Sequence, residues 1–281
     1  MRIIPILFSM HDCPARGVCR ERRMRMNPIV DLRGKRGLVV GIANENSIAA
    51  GCAAAFAQAG ARLAATYLND KAKDWVLPVT EQIGIEWTAP LDVRIPGQME
   101  ALFEQVEQRW GGIDFLLHSI AFAPRDDLQG RVVDCSAEGF AMAMDVSCHS
   151  FIRMAKLAEP LMRDGGCLMC VSFYGSERVV EHYNLMGPVK AALESSARYL
   201  AAELGPKGIR VHAISPGPIA TRAASGIGRF DELLERTAAS VPMQQLVQIE
   251  DVGAMAAFLA SPAARRITGT VIPIDGGQHI Q

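Results

Sequence analysis

No apolar run in the sequence approaches the roughly 18 residues that would suggest a membrane span. An excess of either charge is missing too: 29 basic and 30 acidic residues leave a formal net charge of −1. No global basic field therefore draws the chain to nucleic acid or an anionic membrane. The seven cysteines are odd in number and scattered without paired C-x-x-C motifs. That argues for reduced thiols in the cytoplasm over a disulfide framework. With no His-x3-His cluster either, no metal site is expected. What the sequence does have is length and apolar content: 281 residues, 49% hydrophobic, enough to bury a sizeable core.

Residues 1–26 differ from the remainder. Six arginines stand there against only Asp12 and Glu21, a local net charge of +4. The apolar run Ile3 to Phe8 is short, and its basic flank follows it, the reverse of a secretory signal. The segment reads as a disordered tail or as the product of an upstream start, with Met24 or Met26 the working one. An arginine-rich targeting peptide is the alternative. The folded domain is expected over residues 27–281.

From Gly37 onward short apolar runs alternate with helix-like stretches. Strands are expected at Gly37–Gly41, Arg62–Tyr67, Glu86–Asp92, Ile113–His118, Gly166–Ser172, Ile209–Ile214 and Thr270–Ile274. Helices are expected at Ser47–Ala59, Lys71–Ile83, Pro96–Trp110 and Tyr183–Leu204, with one long helix over Ala137–Met162 bent near Ser147. Strands separated by helices of this length imply right-handed βαβ crossovers. The expected fold is α/β: a single doubly wound, Rossmann-like domain with a parallel sheet of about seven strands and helices on both faces. Ligands of such a sheet lie beyond the C-terminal ends of its strands.

Four segments fall at such ends. The turn from Gly41 to Gly51 keeps a glycine at the strand end and another inside the helix, but puts Ser47-Ile48 where a dinucleotide fingerprint has a further glycine. A serine N–H and hydroxyl at a helix N-terminus suit a phosphate, although the same serine also suits an ordinary N-cap. Asp92-Val93 is placed to hold an adenine amino group. Ser119-Ile120-Ala121 would pass beneath ribose and nicotinamide, and Pro218-Ile219-Ala220-Thr221 would bracket the carboxamide. The second strand ends in Tyr67-Leu68-Asn69-Asp70, with Asp70 late for a ribose 2′-hydroxyl and no arginine for a 2′-phosphate. NADH is the expected cofactor, with NADPH kept open.

Tyr183 and Lys190 are seven residues apart. On a continuous helix that spacing brings them to one face, about 10 Å apart along the axis. A lysine at that reach would clamp ribose hydroxyls, and its charge would favour tyrosinate or an oxyanion held by the phenol. A half-buried tyrosine beside a surface lysine is the plainer alternative.

Taken together these segments resemble the short-chain dehydrogenase/reductase superfamily, and within it the bacterial type I enoyl-acyl-carrier-protein reductases. Ordinary members of the superfamily carry Tyr-x3-Lys, whereas Met186 stands four residues before Lys190 and the enoyl-reductase Tyr-x6-Lys is matched by Tyr183 and Lys190. The runs Gly41–Ala49, Thr66–Lys71, His118–Pro124, Gly175–Val180, Tyr183–Lys190, Gly217–Ile227 and Ile274–Gly277 agree, so the likeness extends from about Leu32 to the C-terminus.

The resemblance implies hydride transfer from a nicotinamide to C3 of a trans-2-enoyl thioester on acyl-carrier protein or coenzyme A, in fatty acid synthesis. Tyr183 would hold the enolate and Lys190 the cofactor ribose. Gly41, Ser47, Ile48, Asp92, Val93, Ser119, Ile120, Ala121, Pro218, Ile219 and Thr221 would line the cofactor. Phe122, Phe173, Tyr174 and Met186 would join Tyr183 around the acyl group. Residues 220–243, with Gly226 and Gly228 as hinges, would cover the acyl chain, and the assembly would be a homotetramer.

The sequence departs from the pattern in places. Phe173 stands where a second tyrosine is usual, with Tyr174 one place later. Ala121 replaces a glycine, Leu68 a polar residue, and Pro216 an alanine. Two further readings stay open: a carbonyl reductase of the 3-oxoacyl type, and a catalytically weak nucleotide-binding paralogue.

Overall fold

In the computed structural model the described residues are 29–221 and 228–281, so the expectations for residues 1–26 and for Gly226 lie outside them. Seven parallel strands form one sheet: β1 (Arg36–Val40), β2 (Arg62–Tyr67), β3 (Trp87–Pro90), β4 (Phe115–His118), β5 (Gly166–Val171), β6 (Ile209–Pro216) and β7 (Thr270–Ile274). Their order is β3-β2-β1-β4-β5-β6-β7. The chain builds outward from β1 to β3 and then crosses back to β4, so the switch of direction falls between β1 and β4, where such sheets open a ligand crevice.

Alternation along each strand divides the core. Leu38 and Val40 face one apolar cluster and Val39 the other. One cluster is covered by α3 (Gln98–Trp110), α5 (Ala137–Met144), α6 (Ser150–Ala158) and α7 (Met186–Leu204). The other is covered by α1 (Ile48–Gln58), α2 (Asp70–Ile83) and α9 (Ile249–Ala260). A short α4 (Arg125–Gln129) and α8 (Phe230–Ser240) stand beside the strand ends. The same alternation separates the thiols of Cys167-x-x-Cys170, a spacing within β5 that the sequence reading passed over. They face opposite clusters, and burial pushes both thiols up.

Two expected helices are corrected. The long helix over 137–162 is α5 and α6 separated by a π-helical turn, Asp145–His149, and followed by a 3₁₀ turn. The expected bend near Ser147 falls inside that π turn. More consequentially, α7 begins at Met186, so Tyr183 lies in the preceding turn and shares no helix with Lys190. His182 and Asn184 on either side of it hold φ of 64° and 39°, a conformation incompatible with a helix through that point.

Gly51, read as part of the phosphate motif, has a packing role. A Cβ there would come 2.5 Å from the Ile249 carbonyl oxygen, and one on Gly253 would come 2.5 Å from the Gly51 carbonyl oxygen. The two glycines let α1 and α9 meet backbone to backbone. Gly51→Val is expected to lower stability by about 1–3 kcal/mol through overpacking, measured by urea unfolding.

Candidate active site

The crevice between β1 and β4 is closely built. Gly41 has φ of 111°, and a Cβ there would overlap the Ser119 carbonyl, so the two strand ends meet only because this residue is glycine. Ile48 and Ala49 open α1, and their N–H groups have no intrahelical acceptor, which suits a pyrophosphate beside Gly41. Ser47 behaves differently from expectation. Its hydroxyl donates to the Asn44 carbonyl at 2.7 Å, and its N–H bonds the same oxygen at 3.2 Å. It therefore shapes the loop and makes no side-chain cap on α1. At the end of β2, Asn69 caps α2 and Asp70 is that helix's first residue.

Asp92 follows β3 with both carboxylate oxygens engaged by Arg94, at 2.9 and 2.7 Å. The guanidinium holds the carboxyl below its usual range, burial opposing. The guanidinium carbon of Arg94 also lies 5.7 Å from the ring centre of Phe122. The Val93 side chain is buried, and its carbonyl accepts from Arg153 on α6 at 3.0 Å. After β4, Ser119, Ile120 and Ala121 run along the crevice, and the next residue is fastened: Phe122 N–H donates to the Ser147 hydroxyl at 2.9 Å, which donates back to the Phe122 carbonyl at 3.0 Å. Ser147 is fully buried and lies inside the π turn. Beyond β6, Pro218 is buried and Ile219 packs on the α1 side, and the Thr221 N–H bonds the Ile219 carbonyl at 2.8 Å.

Tyr183 and Lys190 are both buried, 7% and 4% exposed. The phenol ring is held edge-on by Phe173, with centroids 4.8 Å apart, and a Cβ on Gly175 would lie 2.5 Å from it. Phe173 thus supplies packing where a helper hydroxyl was expected. Tyr174 is half-buried in the adjoining 3₁₀ turn, and Met186 is buried in the same cluster as Tyr183. The tyrosine turn is anchored from outside by Asn184, whose amide donates to the Leu128 carbonyl at 2.9 Å, and by the exposed pair Glu181–Arg236 at 2.9 Å, Arg236 lying on α8. Gly228 lies beside the His182 ring. Sequence reading missed Asn184, Ser147 and Gly175. For Asn184 a signal existed, since asparagine tolerates positive φ better than most residues.

Lys190 Nζ donates to the Val171 carbonyl at 2.7 Å. Burial pulls its pKa down to about 8, with Cys170, Glu194 and Cys148 opposing. Burial pushes the Tyr183 phenol up, and the Glu194 charge adds to that. Both effects favour the neutral phenol, which suits donating a hydrogen bond to an oxygen that acquires charge, the second of the two roles expected of it. His118, fully buried, bonds the Ser150 hydroxyl at 2.7 Å, and burial, then Lys190, lowers it to about 3. His212 on β6 is lowered to about 4, chiefly by burial.

Both histidines fold neutral but have an ordinary value of 6.5. The unfolded chain then binds more protons below pH 6.5, so stability is present above that pH and lost as pH falls toward the folded values. We expect a loss of about 1.4 kcal/mol per histidine per pH unit below 6.5. Urea unfolding between pH 7.5 and 5 checks it, with a His118 NMR shift that stays flat over the range.

The chain was compared with known proteins. The family model described as enoyl-(acyl carrier protein) reductase matches residues 41–279. An NADH enoyl-[acyl-carrier-protein] reductase of Rhizobium meliloti is 45% identical over 248 residues, covering 88% of this chain and 91% of that protein. The crystal structure of an Anaplasma phagocytophilum enoyl-(acyl-carrier-protein) reductase in complex with NAD superposes with a TM-score of 0.86 at 42% identity, covering 89% of this chain and 95% of that one. The Bacillus cereus enoyl-acyl carrier protein reductase, solved with NADP+ and an indole naphthyridinone, gives a TM-score of 0.87 at 40% identity, covering 89% and 99%.

Proposed function

The chain belongs to the enoyl-(acyl carrier protein) reductase family, and from that membership we infer that it reduces the 2,3 double bond of a trans-2-enoyl acyl-carrier-protein thioester with NADH, in fatty acid synthesis. What supports the residue assignments is that Tyr183 and Lys190 are both buried and that Lys190 Nζ bonds the Val171 carbonyl at the C-terminal end of β5.

NADH, when bound, supplies the hydride to C3. Gly41, Ile48, Asp92, Val93, Ser119, Ile120, Ala121, Pro218, Ile219 and Thr221 line its crevice, with Ser47 shaping the loop beside it. Lys190, its ammonium already directed by the Val171 carbonyl, binds the ribose hydroxyls. Tyr183 donates a hydrogen bond to the thioester oxygen as that oxygen becomes an enolate, and burial makes such a bond stronger than it would be in water. Phe122, Phe173, Tyr174 and Met186 enclose the acyl group, and residues 220–243 cover it. The described part of that cover includes α8, tied to the tyrosine turn through Arg236 and Glu181. We place the enzyme in the cytoplasm as a homotetramer. Phe140 and Met142 on α5 and Tyr199 on α7, respectively 41%, 38% and 71% exposed, support pairing of these helices between copies.

The purified chain is expected to oxidise NADH with crotonyl and longer enoyl thioesters and not with acetoacetyl thioester. Tyr183→Phe should lower kcat about 100-fold or more, with NADH binding retained. Oxidation with the ketone alone would favour the carbonyl-reductase reading. Nucleotide binding without turnover would favour the inactive paralogue.

A further inference from the structure

Behind the tyrosine and the lysine sits a carboxylate with no part in the reading above. Glu194 lies one turn beyond Lys190 on α7 and is 4% exposed. One of its oxygens, Oε1, accepts two hydroxyl hydrogen bonds, from Ser172 at 2.5 Å and from Ser176 at 2.6 Å. A glutamate in a helix interior usually reaches solvent, and a buried one is retained only where it is paired or bonded.

Its two donors bracket the 3₁₀ turn Tyr174–Ser176, with Phe173 and Gly175 between them. Those are the two residues against which the Tyr183 ring packs. Ser172 also follows Val171, whose carbonyl takes Lys190 Nζ. Gly187 completes the contact: a Cβ there would come 3.0 Å from the Gly175 carbonyl, so the start of α7 lies directly on the same turn. Lys190 and Glu194 thus fasten one helix face to one strand end, the first through a backbone carbonyl, the second through two hydroxyls.

We propose that Glu194 is a positioning residue for the reduction: it fixes the 172–176 turn that orients Tyr183 and supplies the buried negative charge that Lys190 faces. The inference rests on the assignment of Tyr183 and Lys190 as the working pair. The ionisable groups around them are Cys170 on β5, Cys148 in the π turn and His118 on β4. Burial pushes both thiols up and pulls His118 down, so all three are uncharged near neutrality. Glu194 is therefore the carboxylate that balances the ammonium. Its charge acts on Lys190 and on Tyr183 in the same sense, raising both, so it keeps the one an ammonium and the other a phenol.

Glu194→Gln removes the charge and keeps the shape, because a glutamine oxygen still accepts both serine hydroxyls, though more weakly than a carboxylate. The titration of the Lys190 side chain is followed by NMR in the full chain, with and without the substitution. The variant's midpoint is expected about one pH unit lower. In turnover, the alkaline limb of the kcat profile should move down by the same amount. Identical midpoints in the two proteins would overturn the charge role. Ser172→Ala with Ser176→Ala tests the other half: kcat should fall about tenfold with the alkaline limb unmoved, and an unchanged kcat would overturn it. If Glu194→Gln does not fold, Glu194→Asp keeps the charge while shortening the reach, and the limb should then stay in place as kcat falls; a shifted limb would count against the proposal. Failure of the wild-type chain to reduce any enoyl thioester would instead overturn the functional reading, since the Lys190 titration requires no turnover.

Discussion

A lysine ammonium withdrawn from water sets the terms for everything near the C-terminal end of β5. Removing such a charge from solvent is costly unless nearby groups replace its hydration. The Val171 carbonyl does so directly and Glu194 at longer range. His118, on the neighbouring strand, is held uncharged partly by the same ammonium. Burial and the Glu194 charge both favour the protonated form of Tyr183. One positive group, one negative group and a phenol are thus buried near the end of β5.

The β-α alternation made the sheet, its strand count and its crossovers legible, because buried parallel strands read as apolar runs and their order follows from chain connectivity. The seven-residue spacing of Tyr183 and Lys190 was legible as well, and both residues are buried, but they share no helix. The helix-face argument assumed continuous helix from Tyr183, and positive φ at His182 and Asn184 breaks it. Asparagine and histidine adopt positive φ more readily than most residues, but the run around these two is otherwise helix-like. Glu194 was hidden for a related cause: in a long amphipathic helix a glutamate reads as solvent-facing, and its serine partners lie 18 and 22 residues away.

Departures from the family pattern take on physical meaning once they are placed. Phe173 exchanges a hydroxyl for an edge-to-face contact, so the phenol it holds is positioned by ring packing rather than by a second polar group. Arg94 joins the segment after β3 to the segment after β4, since one guanidinium bonds Asp92 and lies over Phe122. Ser147 in the π turn then fastens Phe122 from the other side.

The tyrosine turn is anchored by Asn184 to the segment after β4 and by Glu181 to α8. The turn that carries the phenol is thus held from two directions, by ring packing on Phe173 within and by these polar ties without, so its side chain and its backbone have separate supports.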